Sequence, residues 1–146
     1  MQIVRDRQLG AAFGAAPFFW LLMLWFRTPA PDLYWPWREP VLFLMPVVVY
    51  PVLEEMTFRG LLQPALHRYP SGGSIYGGMS LANWVTSLCF AASHLLWHTG
   101  WQALAVVLPS LVFGYFRDRY GRITPSVALH VFYNAGFVWL FAWPSA

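Results

Sequence analysis

Two adjacent carboxylates and an arginine lie inside an apolar stretch, PVLEEMTFRG, at residues 51–60. On insertion scales each such charge costs roughly 2.5–3.5 kcal/mol at the centre of a bilayer. Glu55 and Arg59 are four residues apart with the glutamate on the N-terminal side, which favours an ion pair along one face of a helix. Glu54 points about 100° away from that pair. Its carboxylate is therefore expected either to take up a proton or to face water and polar groups.

Two histidines and an asparagine also lie within apolar runs. His94 is the ionisable residue in the middle of its run, and His130 and Asn134 share one face of a later predicted helix because they are four residues apart. A single buried His or Asn often forms an interhelical hydrogen bond worth about 1 kcal/mol. Hydrogen bonds of that size do not offset the cost of placing a carboxylate in a membrane, so they do not explain this set of polar groups, which lies on three predicted helices and includes Glu54.

These residue types are sufficient for water to attack a peptide bond without a covalent intermediate. A carboxylate accepts a proton from water, a histidine shares and shuttles protons, and His and Asn donors stabilise the developing oxyanion. One Glu and two His could instead hold Zn²⁺, although the sequence has no HExxH and an Asn amide is a poor zinc ligand. A GxSG-like serine and a GxGD are also absent, which disfavours serine and aspartyl intramembrane proteases.

The composition predicts an all-α, polytopic membrane protein that forms one domain over residues 1–146. With 58% hydrophobic and 10% charged residues, the chain has more apolar surface than a soluble domain of this size buries. A membrane-spanning helix needs roughly 20 mainly apolar residues, and prolines are expected to kink or break the second such helix. Those prolines are Pro46, Pro51 and Pro64, and the five predicted spans are 9–26, 41–66, 80–97, 101–116 and 125–143.

The arginines predict the orientation in the membrane. They carry all of the basic charge, since the chain has no lysine, and they concentrate in alternate loops. This pattern places the N-terminus in the cytoplasm and gives no nucleic-acid-binding patch. The same orientation predicts a tryptophan belt at the outer interface, formed by Trp25, Trp35, Trp37, Trp97, Trp101 and Trp143.

Three segments resemble the motifs of the CAAX-protease and bacteriocin-processing enzyme family, which consists of glutamic-type intramembrane endopeptidases. EEMTFRG resembles the EExxxR motif, FAASH the FxxxH motif and HVFYN the HxxxN motif. The motifs occur in the order that the family has, within residues 50–140. The chain is also similar to small stand-alone bacterial members that act in C-terminal sorting systems.

The resemblance implies a role for each motif residue. Glu54 is expected to be the general base for the water, with His94 assisting it. A supporting set orients these catalytic groups, and an oxyanion site binds the developing negative charge. The supporting residues are Glu55, Arg59 and Phe90, and the oxyanion residues are His130 and Asn134.

The resemblance also implies partners and a location. The expected substrate is a membrane protein or peptide cleaved near its C-terminus, such as a sorting tail, within the bilayer of a bacterial inner membrane. No cofactor is expected, but zinc stays open because older descriptions treat the family as metalloproteases. Two other interpretations use the same residues: a non-catalytic peptide-binding or self-immunity membrane protein, and a small transporter with Glu54 and His94 as a proton relay.

Overall fold

A computed structural model describes residues 6–96 and 105–141 of the chain. Most of these residues are helical, which confirms the predicted class. The helices are α1 (Arg7–Met23), α2 (Trp35–Arg38), α3 (Pro40–His67), α4 (Leu81–His94), α5 (Val107–Tyr120) and α6 (Thr124–Phe141), and the strands β1 (Ile75–Tyr76) and β2 (Met79–Ser80) precede α4.

Among the described residues, α3 is the helix that is long and apolar enough to cross a membrane. It has 28 residues, and only 22% of its most apolar stretch is buried within the protein. An apolar helix with so little of its surface covered by protein is suited to contact with lipid. The number of five spans stays a prediction, and the predicted ends at Trp97, Trp101 and Trp143 lie outside the described residues.

The chain falls into two compact units. The first comprises Met1–Val52 and Ala128–Ala146, and the second comprises Leu53–Val127. The chain passes from one unit to the other within α3 and again within α6.

In the first unit, α1 packs against α6 through close contacts and hydrogen bonds. The hydroxyl of Tyr133 donates to the carbonyl of Ala12 over 2.9 Å, and the indole of Trp20 donates to the carbonyl of Tyr133 over 3.0 Å. A Cβ atom at Gly136 would overlap the Trp20 indole, so glycine permits this close approach. The short α2 is joined to α6 by the Trp35 indole, which donates to the carbonyl of residue 139 over 3.0 Å.

In the second unit, polar contacts recur every four residues where α3 packs against α5. The series on α3 is Arg59, Gln63 and His67, and the facing series on α5 is Ser110, Gly114 and Asp118. Residues four apart lie on the same face of a helix, so the two series form a polar seam between otherwise apolar helices.

The strands β1 and β2 form a short hairpin that ends at the start of α4. Gly77 and Gly78 both have positive φ angles, 57° and 82°, as a two-residue hairpin turn of type I′ requires. Ser80 then caps α4 by accepting from the backbone N–H of Asn83 over 3.0 Å. Its hydroxyl also donates to Oδ2 of Asp118 over 2.6 Å, which joins the hairpin to α5.

The helix α3 contains two π-helical segments, Met45–Val49 and Met56–Leu62, each followed two residues later by one of the prolines expected to distort it. In each segment the last hydrogen bond runs from an N–H to the carbonyl five residues earlier, from Tyr50 to Met45 and from Gln63 to Phe58. A proline follows directly in both cases and has no N–H to continue the series. Such π segments are often found at functional sites.

Candidate active site

Glu55 and Arg59 form a fully buried ion pair in the second unit. Nη1 of Arg59 lies 3.0 Å from Oε1 of Glu55, and neither side chain is exposed. Nη2 of Arg59 also donates to Ser110, to its carbonyl over 2.8 Å and to its Oγ over 2.6 Å. A buried ion pair offsets its desolvation only when additional hydrogen bonds satisfy its polar atoms, and Ser110 supplies two of them. The ion pair predicted from the four-residue spacing is confirmed.

Glu54 differs from Glu55 in burial, although the two residues are adjacent. Glu55 is fully buried, whereas Glu54 is half-buried. The ion pair of Arg59 is with Oε1 of Glu55, over 3.0 Å. Arg59 therefore holds Glu55 in the interior of the unit, whereas the side chain of Glu54 is partly exposed.

Phe90 joins the EExxxR and FxxxH segments. The Arg59 guanidinium lies 4.9 Å from the centroid of the Phe90 ring, a distance at which a cation–π interaction is favourable. The same ring packs edge-on against Phe58 with centroids 5.1 Å apart, and it lies 4.5 Å from the His94 ring. Phe90 is only 2% exposed, so it is a buried contact between the arginine of one motif and the histidine of the other.

The orientation of the His94 ring follows from its own helix. Its Nδ1 lies 2.9 Å from the carbonyl oxygen of Phe90. A carbonyl can only accept, so Nδ1 carries the hydrogen and the neutral ring has its lone pair on Nε2. Within the half-buried His94 side chain, Nε2 is therefore the atom that can accept a proton.

His130 and Asn134 lie one turn apart on α6 in the first unit. His130 is 5% exposed, and Asn134 is half-buried. Nδ2 of Asn134 donates to the carbonyl oxygen of Pro46 over 2.9 Å. An Asn amide has two N–H donors, so this bond engages one of them and orients the other.

The structure distributes the predicted site residues over the two units. The EExxxR and FxxxH residues belong to the second unit, where Phe90 brings Arg59 and His94 together. The HxxxN residues belong to the first unit, where Asn134 contacts α3 through Pro46. Glu54, Glu55, Arg59, Phe90 and His94 thus form one group, and His130 and Asn134 form the other.

Several polar partners of this machinery were not found by sequence reasoning. Asp118 lies in α5, beyond the predicted span 101–116, and it accepts from Gln63 and His67, both over 2.7 Å, and from Ser80. Gln63 continues the four-residue series of Glu55 and Arg59 along an apolar helix, and that spacing is a signal which could have identified it.

No group of three or more His, Cys, Asp or Glu side chains that could hold a metal ion occurs within residues 6–96 and 105–141.

Comparison with protein families identifies a match. The sequence model of a family described as type II CAAX prenyl endopeptidase, Rce1-like, matches residues 36–136. The match covers more than half of the chain and contains all three motif segments. A search of curated proteins and a search of solved structures each found no match.

Proposed function

The chain belongs to the Rce1-like family of type II CAAX prenyl endopeptidases, and we propose that it hydrolyses its substrate by glutamate-activated water. The family in general acts on membrane-associated proteins and is integral to membranes. We further propose that the cut lies near the substrate's C-terminus, that sorting tails are the substrate class, and that the membrane is the bacterial inner membrane.

In the proposed reaction, Glu54 accepts a proton from water while the water oxygen attacks the scissile carbonyl carbon. Donors from His130 and Asn134 stabilise the oxyanion that forms. His94 assists through Nε2, and the proton is finally delivered to the leaving amine as the peptide bond breaks. The enzyme and its carboxylate are restored, and water has been added across the bond.

The difference in burial between the two adjacent glutamates is the observation that carries this proposal. A general base must reach the water from which it takes a proton. Glu55 is committed to a buried ion pair with Arg59, whereas the half-buried Glu54 retains access to its surroundings. The orientation of the His94 ring adds support, because its Nε2 lone pair can share that proton.

The test is cleavage of a co-expressed library of membrane-anchored C-terminal tails by wild type and by Glu54→Gln. Glutamine keeps the size and hydrogen bonding of the side chain but cannot act as a base. We expect one class of tail to be cut by wild type and Glu54→Gln to be slower by about 10²- to 10⁴-fold. The matched control is Glu39→Gln, the same chemical change at an exposed glutamate, which should cleave at the wild-type rate.

Equal cleavage by wild type and Glu54→Gln would contradict the assignment of the base. If no tail is cut but a peptide co-purifies with both forms, the non-catalytic peptide-binding alternative is supported instead. Repeating the assay with a zinc chelator tests whether cleavage requires zinc, and we expect the cleavage rate to be unchanged.

A further inference from the structure

The first π segment of α3 leaves one backbone carbonyl without its helical donor. The N–H of Tyr50 bonds to the carbonyl of Met45, five residues earlier. The next bond in this series would run from residue 51 to the carbonyl of Pro46. Residue 51 is proline and has no N–H, so the helix itself cannot satisfy the Pro46 carbonyl in this way.

Asn134 takes the position of the missing donor. Its Nδ2 donates to the Pro46 carbonyl over 2.9 Å, and both residues belong to the first unit. Buried backbone carbonyls are almost always hydrogen-bonded, so the open carbonyl attracts the amide nitrogen. Because a carbonyl oxygen cannot donate, it also excludes the flipped amide in which Oδ1 of Asn134 would face it.

The second π segment shows the same relationship independently. The N–H of Gln63 bonds to the carbonyl of Phe58, and Pro64 then cannot serve the carbonyl of Arg59. Nε of Arg117 donates to that carbonyl over 2.9 Å. Two prolines at the same offset from a π segment each leave a carbonyl that a side chain from another helix satisfies.

We propose that Pro51 is a positioning residue for hydrolysis, acting through the Pro46 carbonyl on Asn134. By withholding an N–H, Pro51 keeps the carbonyl available to the amide. The amide is then oriented with its second N–H in place for the substrate oxyanion. This inference rests on the proposed function for the oxyanion role of Asn134.

The test restores the missing donor. In Pro51→Ala the new N–H can bond to the Pro46 carbonyl within the helix and compete with Asn134. We expect kcat to fall by about 10- to 100-fold with KM little changed, since misplacing a catalytic group by about 1 Å has such effects. Pro17→Ala is the matched control, because it makes the same change at an exposed proline inside α1 and should leave kcat unchanged.

Two readouts separate positioning from general damage. The chain contains two asparagines, so selective labelling of asparagine amides yields two side-chain NMR signals, and the one lost in Asn134→Ala identifies Asn134. That signal should shift in Pro51→Ala and stay in place in Pro17→Ala. In the Asn134→Ala background, Pro51→Ala should cause no further loss of kcat.

An unchanged Asn134 signal in Pro51→Ala would overturn the inference. The inference would also be overturned if Pro51→Ala lowered kcat as much in the Asn134→Ala background as in wild type. It would equally be overturned if Pro51→Ala shifted the Asn134 signal but left kcat unchanged. Failure of the proposed function looks different: wild type cuts no tail, or Glu54→Gln cuts as fast as wild type. In that case the Asn134 NMR signal still tests whether Pro51 orients the amide, because this readout does not depend on activity.

Discussion

The Arg59 guanidinium lies 4.9 Å from the centroid of the Phe90 ring, and His94 packs on the same ring with centroids 4.5 Å apart. One buried aromatic side chain therefore contacts both the arginine that pairs with Glu55 and the histidine assigned to assist Glu54. The geometry of the supporting ion pair and of the histidine is coupled through this ring.

Phe90→Leu tests this coupling, because leucine keeps an apolar side chain but removes the ring. We expect a loss of about 2 kcal/mol in the free energy of unfolding, the size of a desolvated cation–π interaction, and slower cleavage because His94 loses its packing partner. Thermal unfolding in detergent and the tail-cleavage assay measure the two effects. Phe18→Leu, at a ring that is 75% exposed, is the control, and equal effects of the two substitutions would contradict the prediction.

Arg59→Gln is expected to lower the free energy of unfolding by about 3–5 kcal/mol, because it leaves the Glu55 carboxylate buried without its counter-ion. Adding Glu55→Gln removes that charge and should recover part of the loss. Denaturation of both single variants and the double variant measures the coupling, and strictly additive losses would refute it. Arg38→Gln breaks an exposed pair with Asp32 and should cost only about 0–1 kcal/mol.

Asp118→Ala should destabilise the second unit, since one carboxylate accepts from Gln63, His67 and Ser80. Each buried donor left without a partner costs about 1–3 kcal/mol, and the buried donors of the three are Gln63 and Ser80, whereas His67 is exposed. Asp118→Asn keeps one acceptor oxygen and should lose less. Melting temperatures measure whether Asp118→Ala is more destabilising than Asp118→Asn. Equal destabilisation by the two substitutions would contradict the prediction, and so would an equally large effect of Asp32→Ala at the exposed pair.

Gly136→Ala should cost about 1–3 kcal/mol by overpacking, because the added methyl group overlaps the Trp20 indole. Gly14→Ala is the matched change on α1, where a Cβ meets nothing within 4 Å. It should be neutral or stabilising by up to about 1 kcal/mol, the difference in helix propensity. Comparing the two unfolding curves checks the prediction, and similar melting temperatures would show that the helices can separate to admit the methyl group.

Local features of this protein could be predicted from the sequence because neighbours along a helix determine them. The helical class follows from apolar runs, and the Glu55–Arg59 ion pair follows from a four-residue spacing on one helix. The prolines of α3 likewise indicate a distorted helix, since a residue without an N–H interrupts the hydrogen-bond series whatever surrounds it.

The partners of these groups lie far away in the chain, so their contacts depend on how the helices pack. Ser110 is 51 positions from Arg59, and Asn134 is 88 positions from Pro46. No local spacing relates such residues. Residue types and local spacing therefore establish the charged groups and the helical class. The observed helix register and packing establish the rest: the carbonyls of Pro46 and Arg59 lose their helical donors, Asn134 and Arg117 donate to them, and Ser110 accepts from Arg59.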